Sequence, residues 1–306
     1  MARIRIVQPG LLTTVQDRGR IGYGHLGVTQ GGALDGYALR WAQRLLALPA
    51  TAAALEITLR GPTIQVQGNT SAALTGADLG GAVNGEPWPP GEIRNLQAGA
   101  IISFGAPRRG LRAYLAFRGG VVAERVLQSA STDLQSGVGG HAGRPLRAGD
   151  VLEVGDGGVA PVCAPVTTIR MDQVVRVLAG PRHELFPREA LSLLTAEPFQ
   201  VTPAADRVGL RLQGTRIPEA PGSILSEGMP IGAVEVPPDG APIVLLAGRG
   251  TVGGYPVLAT AISADLPVLA QKKPGDRFTF VLVTLEEARA ALREQEAALQ
   301  LPLTAV

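Results

Sequence analysis

The chain has little cysteine, lysine or aromatic side chain and no long apolar run, and each shortage narrows what it can be. Cys163 is the single cysteine, which excludes an internal disulfide and a zinc site built from several thiolates. Its APVCAPV surroundings read as a linker or strand thiol rather than a nucleophile. No segment approaches the roughly eighteen apolar residues of a membrane-spanning helix. The N-terminal MARIRIVQPG alternates like a strand and lacks the apolar core of a secretion signal, so a cytoplasmic location is expected. Lys+Arg 28 against Asp+Glu 26 gives a formal net charge of +2, which is no basis for nucleic-acid binding. Lys272 and Lys273 are the only lysines, and arginine carries the remaining positive charge throughout the chain. The three histidines, His25, His141 and His183, are distant in sequence and lack further ligands at zinc spacing, so no metal site is expected. A G-x-S-x-G elbow, an H-E-x-x-H helix, a Walker-type phosphate loop and a biotinyl-lysine context are all missing.

What the chain has in excess is glycine (40) and proline (24), against 4% aromatics. That mixture predicts many short strands separated by turns. Residues 98–104 (AGAIISF), 148–154 (AGDVLEV) and 274–280 (PGDRFTF) repeat one design, a glycine turn feeding a strand. Asn84-Gly85 between two short runs signals a type I′ hairpin. A looser echo links residues 3–10 with residues 175–181, each a β-rich run ending in a turn at the start of one half. Residues 155–166 (GDGGVAPVCAPV) read as the linker. We therefore expect a mainly β protein with two β-barrel-like domains, 1–160 and 167–306, with strand exchange between them permitted. Helices should be few and short. One is capped by Asp35 and runs to about Leu48, with Tyr37, Trp41, Leu45 and Leu48 on its apolar side. A second covers 182–192, and a third opens at the Thr284-x-x-Glu287 capping box and runs to about Leu299.

The most informative stretch is residues 224–265. It holds a Ser226-Glu227 pair, a Pro237-Pro238-Asp239-Gly240 turn, a buried-type strand over 242–247 and a Gly253-Gly254-Tyr255-Pro256 corner. Gly248-Arg249-Gly250-Thr251-Val252-Gly253 has the letters of a dinucleotide-binding loop. Such a loop needs a helix opening on its last glycine, so that free amides meet the pyrophosphate. Here Gly254, Tyr255 and Pro256 follow, and proline lacks an amide hydrogen and disfavours a helical Tyr255. The glycines are read as a β-turn or bulge.

The same stretch, SEG…GAVEVPPDGAPIVLL…TVGGYP, resembles the signature of the allophanate-hydrolase-subunit-2-like family, also described as biotin-dependent carboxyltransferase-like proteins. Further blocks match in order over nearly the whole chain. They are PGLLTTVQDRGRIGYGHLGV (9–28), GGALD (31–35), ALEITLRGPTIQ (54–65), LTGADL (74–79), RAYLAFRGG (112–120), SASTDLQSGVGGHAGRPLRAGD (129–150) and ADRVGLRL (205–212). Each block is unremarkable; their order and spacing are specific. The family includes the C subunit of the bacterial ATP-dependent 5-oxoprolinase, the carboxyltransferase region of urea carboxylase and an antagonist of a sporulation-kinase inhibitor. The resemblance implies a cyclophilin-like β-barrel for each half. With no lyase, biotin carboxylase or biotin-carrier module fused to it, the chain is expected to be the C subunit of an oxoprolinase. That role implies a subunit-B-like and a subunit-A-like partner, ATP used through the assembled complex, and no activity alone. The alternatives are a non-catalytic regulatory binder and a urea-type carboxyltransferase component, and only the latter would involve biotin.

Opening a lactam and carboxylating urea both act on a carbonyl attached to nitrogen. Phosphorylating the 5-oxoproline oxygen would make its carbon electrophilic, which calls for cations against the transferring charge and a carboxylate to orient or deprotonate water. Under the resemblance the catalytic candidates are Asp78, Glu227, Asp206 and Arg207. The substrate-binding candidates are Gln16, Arg20, Arg118, Ser226, Gly253, Gly254 and Tyr255. The residues themselves leave alternatives open. Asp206-Arg207, in the block matching the family's S-D-R-M-G pattern, is a turn pair or a reacting pair, and Ser226-Glu227 a cap or a pocket pair. Asp78 caps a turn or faces a cleft, while Gln16, Asp17 and Arg20 stabilise a turn or touch ligand. Tyr255 is a packing plug or an anion donor, Arg118 an ion-pair partner or a substrate anchor. His141, in a glycine loop, sits beside a ligand pocket in one reading. The chain departs from the family at Glu235, where Gln is usual, and at Gly248 and Gly250, near which Asp and Gln are frequent. These departures imply an altered substrate or a site completed by a partner.

Overall fold

The computed structural model describes residues 1–158, 160–161, 163–218 and 224–304. The protein is mainly β, with four short α-helices among the described residues. It forms two compact units. One comprises Met1–Ile21, Gly31–Ile169 and Leu299–Val306, the other Gly22–Gln30 and Arg170–Ala298.

The first unit is built from two antiparallel sheets. The six-stranded sheet runs in the order Val151–Val154, Ala2–Gln8, Thr63–Gln67, Ile101–Phe104, Gly81–Val83, Glu86–Pro87. The five-stranded sheet runs Leu12–Gln16, Ala54–Thr58, Arg109–Phe117, Thr70–Asp78, Glu92–Leu96. Side chains from both sheets, among them Ile4, Ile6, Ile64, Leu55, Leu74 and Leu115, share one buried core. The other face of the five-stranded sheet carries the helix Gly36–Leu45, whose Ala38, Leu39, Ala42 and Leu45 pack with Ala73, Tyr114 and Ala116. Covered on both faces, Thr70–Asp78 and Arg109–Phe117 are buried at nearly every residue and lose the alternation of a half-exposed strand.

Local signals set the edges of these elements. Asp35 accepts from the Ala38 amide at 2.9 Å and opens the helix, which ends at Leu45. Its buried side is centred on Ala38, Ala42 and Leu45 rather than on Tyr37 and Leu48, which are half-buried. The small alanines allow helix and sheet to approach closely. Asn84 (φ 51°) and Gly85 (φ 88°) take the two left-handed positions of a type I′ turn. Gly99, Gly149 and Gly275 have φ of 90°, 91° and 92° with open space where a Cβ would stand, so backbone conformation alone selects glycine in the three repeated turns.

In the second unit seven strands close a barrel in the order Val174–Ala179, Val257–Ala261, Ala233–Glu235, Ile243–Leu245, Gly209–Gln213, Phe199–Val201, Arg277–Leu282. A parallel pairing of the first and last strands completes it. Phe199, Phe278 and Phe280 are buried, Phe280 meeting Phe199 at a tilt and Phe278 edge-to-face at centroid distances of 5.8 and 5.1 Å. The helix expected over 182–192 is instead a 3-10 turn at His183–Leu185 and a helix at Ala190–Ala196. Pro187 explains the break, because it holds Phe186 extended (φ −86°, ψ 155°) and has no amide to donate. The helix Leu285–Ala298 has its capping box in place. Thr284 Oγ1 accepts from the Glu287 amide at 3.2 Å and Glu287 Oε2 from the Thr284 amide at 2.7 Å.

The stretch read as a linker, 155–166, includes Val159 and Val162, which lie outside the described residues. Its described part is tied into the first unit, with the Ala160 amide donating to Ser71 Oγ at 2.8 Å and the Val166 amide to the Gly91 carbonyl at 3.2 Å. Among the described residues, no helix is long and apolar enough to cross a membrane. Truncating the barrel's aromatic centre with Phe280→Ala should cost about 3–5 kcal/mol. Urea unfolding checks this through the second unit's transition, and a midpoint unchanged from the parent would contradict the packing described.

Candidate functional site

The strand pairing of the second unit brings the two halves of the 224–265 signature together. Glu227–Gly228 pairs antiparallel with Val252–Gly253, Glu227 opposite Gly253. Ser226, Glu227, Gly253 and Gly254 thus share one short ribbon, with Tyr255 just beyond it and 46% exposed. A Cβ at position 253 would stand 2.9 Å from Glu235 Oε1 and 3.0 Å from Met229 Cγ. Glycine lets the ribbon lie this close without displacing those two side chains. Glu227 Oε2 accepts from Arg182 Nε at 2.7 Å in a pair whose side chains are 23% and 48% exposed. So exposed a pair adds little stability, but it holds a carboxylate and a guanidinium side by side at the surface.

Under the ribbon lies Glu235, only 7% exposed. It stands opposite Ile243 and Val257 on neighbouring strands, and these belong to an apolar patch with Met229, Ala233 and Leu245. Burial without compensating hydrogen bonds pushes its carboxyl pKa up. Arg249 is the second buried charge here. Its Nε donates to the Met229 carbonyl at 2.7 Å, its Nη1 is buried without an acceptor, and burial pushes its pKa down. Asp206 serves a turn, Oδ1 accepting from the Val208 and Gly209 amides at 2.8 and 3.1 Å. The Arg207 carbonyl takes the Gly248 amide at 2.9 Å, and a Cβ at 248 would come within 2.8 Å of that oxygen. A side chain at 248 would therefore require the backbone to move.

The first unit gathers the block 16–20 against residues 129–140. Asp17 Oδ1 accepts from Ser129 Oγ and Ser131 Oγ, both at 2.6 Å, and from the Gly19 amide at 2.8 Å; Oδ2 accepts from the Ala130 amide at 2.7 Å. Burial is the largest influence on this carboxyl and raises its pKa, but the four hydrogen bonds together outweigh it and leave the pKa below the ordinary value. Gln16 Nε2 donates to Thr14 Oγ1 and the Thr132 carbonyl, and Arg20 Nη2 to the Ser131 carbonyl at 2.6 Å. Gln16 Oε1 and Arg20 Nε and Nη1 are buried with no protein partner. The glycine loop fits onto this cluster, since a Cβ on Gly139 would lie 2.3 Å from Arg20 Nη2 and 2.4 Å from the Ser131 carbonyl.

The remaining candidates have local partners. Asp78 Oδ1 accepts from the Gly80 amide at 2.9 Å, with Arg108 Nη1 3.9 Å from its other oxygen. Arg118 Nε donates to the Gly157 carbonyl. His141 lies 3.4 Å from Asp150, which also takes two hydrogen bonds from Arg144 that lower its pKa to about 2. Cys163 is buried, and burial raises its thiol pKa. Among the described residues no three His, Cys, Asp or Glu side chains are grouped as metal ligands would be. Sequence reading does not single out Arg182 and Arg249. Only the register joining 227 to 253 and the fold of 180–183 onto the barrel reveal them.

The family model for the carboxyltransferase domain, subdomain A and B, matches residues 26–282. The chain belongs to this family. The C subunit of 5-oxoprolinase from Escherichia coli (strain K12) is 37% identical over 96% of this chain and 95% of its own length. The solved structure of TTHA0988 is 38% identical with a TM-score of 0.83, covering 92% of this chain but only 56% of that one. Urea carboxylase of Kluyveromyces lactis is 28% identical with a TM-score of 0.90, over 97% of this chain and 29% of that one.

For this carboxyltransferase-domain chain, Asp17 gives a test of the first-unit cluster. A carboxylate whose folded pKa is depressed contributes stability that is present above its unfolded value, 3.8, and is lost as pH falls through the folded value. Asp17→Asn should therefore lower the urea midpoint clearly at pH 7, and the gap from the parent should narrow by pH 3. A gap of equal size at both pH values would show that the ionised carboxylate is not what the cluster requires.

Proposed function

We propose that this carboxyltransferase-domain chain is the C subunit of a cytoplasmic ATP-dependent 5-oxoprolinase that opens 5-oxoproline to glutamate. The observation that carries the reading is its near end-to-end similarity to the E. coli C subunit, with 96% and 95% of the two chains matched. The surface of the second unit supports it. Glu227, held by Arg182 beside Gly253, is a carboxylate suited to orienting water. The Arg182 guanidinium beside it supplies positive charge for an oxyanion, and Arg207, whose carbonyl holds the Gly248 amide, is assigned the same role.

The string 248–253 does not form a nucleotide cradle. The 248–253 string leads through a turn into the strand Val252–Gly253, and no helix opens on it. No phosphoryl-transfer step is assigned to this chain, and ATP is assigned to the assembled complex with a subunit-B-like and a subunit-A-like protein. The likeness to the K. lactis urea carboxylase favours one competing reading, a carboxyltransferase component served by a biotinylated partner.

Purified alone, the chain should release no ADP in response to 5-oxoproline, whereas mixing it with its B- and A-like partners should give 5-oxoproline-dependent ADP release. In that complex Glu227→Gln and Arg207→Ala should each lower turnover at least about tenfold, or roughly 1.4 kcal/mol of transition-state stabilisation. Their thermal melts should stay near the parent's. Full turnover by both variants would move the site elsewhere, and biotin-dependent urea carboxylation by the mixture would select the competing reading.

A further inference from the structure

Beside Tyr255 the second unit carries an open pocket of ≈ 340 Å³ whose other polar groups take no part in the chemistry above. Its floor is the outer side of the barrel. Leu210 and Leu212 of Gly209–Gln213 are buried, so Arg211 between them projects outward, in register with Ile243 on the next strand. The Thr202 amide donates to the Arg211 carbonyl at 2.9 Å, which fixes Thr202 next to Arg211. Pro237, Pro242 and Ile243 supply apolar wall, and Asp239 and Tyr255 stand at the rim.

The hydrogen-bonding state of these groups is the informative part. Arg211 has no anionic partner among the described residues, although Asp239 lines the same pocket. Thr202 Oγ1 is buried without a hydrogen bond. Asp239 uses Oδ1 for the Ala241 amide at 3.0 Å and its backbone carbonyl for Arg216, leaving its second carboxylate oxygen to the pocket. The pocket therefore offers a guanidinium, the Tyr255 hydroxyl and one carboxylate oxygen around an apolar wall, with a net charge near zero. A guanidinium matches a planar carboxylate in two parallel hydrogen bonds. A carboxylate oxygen accepts from an N–H and opposes a dianion such as phosphate. The volume falls at the small end of ligand sites, which start near about 300 Å³.

We propose that this pocket binds a small carboxylate bearing a neighbouring N–H, with Arg211 taking the carboxylate, Asp239 the N–H, and Tyr255 orienting the ligand through its hydroxyl. The choice of 5-oxoproline as probe rests on the function proposed above; the pocket's chemistry does not.

Equilibrium binding of 5-oxoproline to the full chain, without partners, tests the proposal. Saturable one-to-one binding is expected. Cyclopentanecarboxylate, which lacks the N–H, and 2-pyrrolidinone, which lacks the carboxylate, should each bind at least tenfold more weakly. Arg211→Gln should weaken 5-oxoproline binding at least tenfold, and Asp239→Asn should abolish the preference over cyclopentanecarboxylate, both with unchanged thermal melts. Absence of saturable binding, displacement of 5-oxoproline by inorganic phosphate, or an Arg211→Gln affinity within twofold of the parent would overturn the proposal. Binding as described in a chain whose complex never turns over would refute the oxoprolinase reading and leave the pocket standing. An active complex whose KM ignores Arg211→Gln would do the reverse.

Discussion

The close approach of a two-residue ribbon to the outside of a β-barrel is the constraint on which the proposed functional surface depends. Gly253 sits so near Glu235 and Met229 that an added methyl would press on both side chains. With that methyl absent, the ribbon covers a buried carboxyl and an apolar patch, and its partner strand presents Glu227 to Arg182 at the surface. A carboxyl buried among Ile243, Val257 and Met229 is costly when ionised. The covered position therefore raises the Glu235 pKa above the ordinary carboxylate value.

The first unit meets the problem of buried charge differently. Asp17 is surrounded by two serine hydroxyls and two backbone amides, enough donors to keep it ionised despite burial. Three of the four donors come from residues 129–131, distant in sequence, so the carboxylate helps join two remote segments. Arg20 and Gln16 are attached to the same segment through the Ser131 and Thr132 carbonyls. The glycines of 137–143 let the following loop close over them, and Gly139 and Gly140 stand where any Cβ would collide. Conformation and space together account for the density of glycine in this motif.

Elements governed by neighbours in sequence are legible in it. The Asn84-Gly85 hairpin, the Asp35 cap, the Thr284–Glu287 box and the glycine turns before 101, 151 and 277 all follow from a few adjacent residues. The continuous 182–192 helix fails at Pro187, whose missing amide divides the segment. Within the site, the Ser226-Glu227 pair and the Gly253–Tyr255 corner can be picked out, since each has unusual composition. Their direct pairing cannot, because a register between strands 26 residues apart in number leaves no local trace. For the same reason Arg182 and Arg211, two of many scattered arginines, acquire meaning only once the barrel sets their neighbours. Asp206 shows the converse, a residue prominent in sequence whose carboxylate is occupied by its own turn.

The ribbon's seat on the barrel is expected to set the activity of the proposed oxoprolinase complex. The most direct test compares Gly253→Ala with Gly228→Ala in the reconstituted complex, because the second glycine lies in the same ribbon with nothing within 4 Å of where its Cβ would be. The account predicts that Gly253→Ala assembles normally but loses at least about tenfold in 5-oxoproline-dependent ADP release, while Gly228→Ala turns over like the parent. Equal activity of the two variants would contradict it.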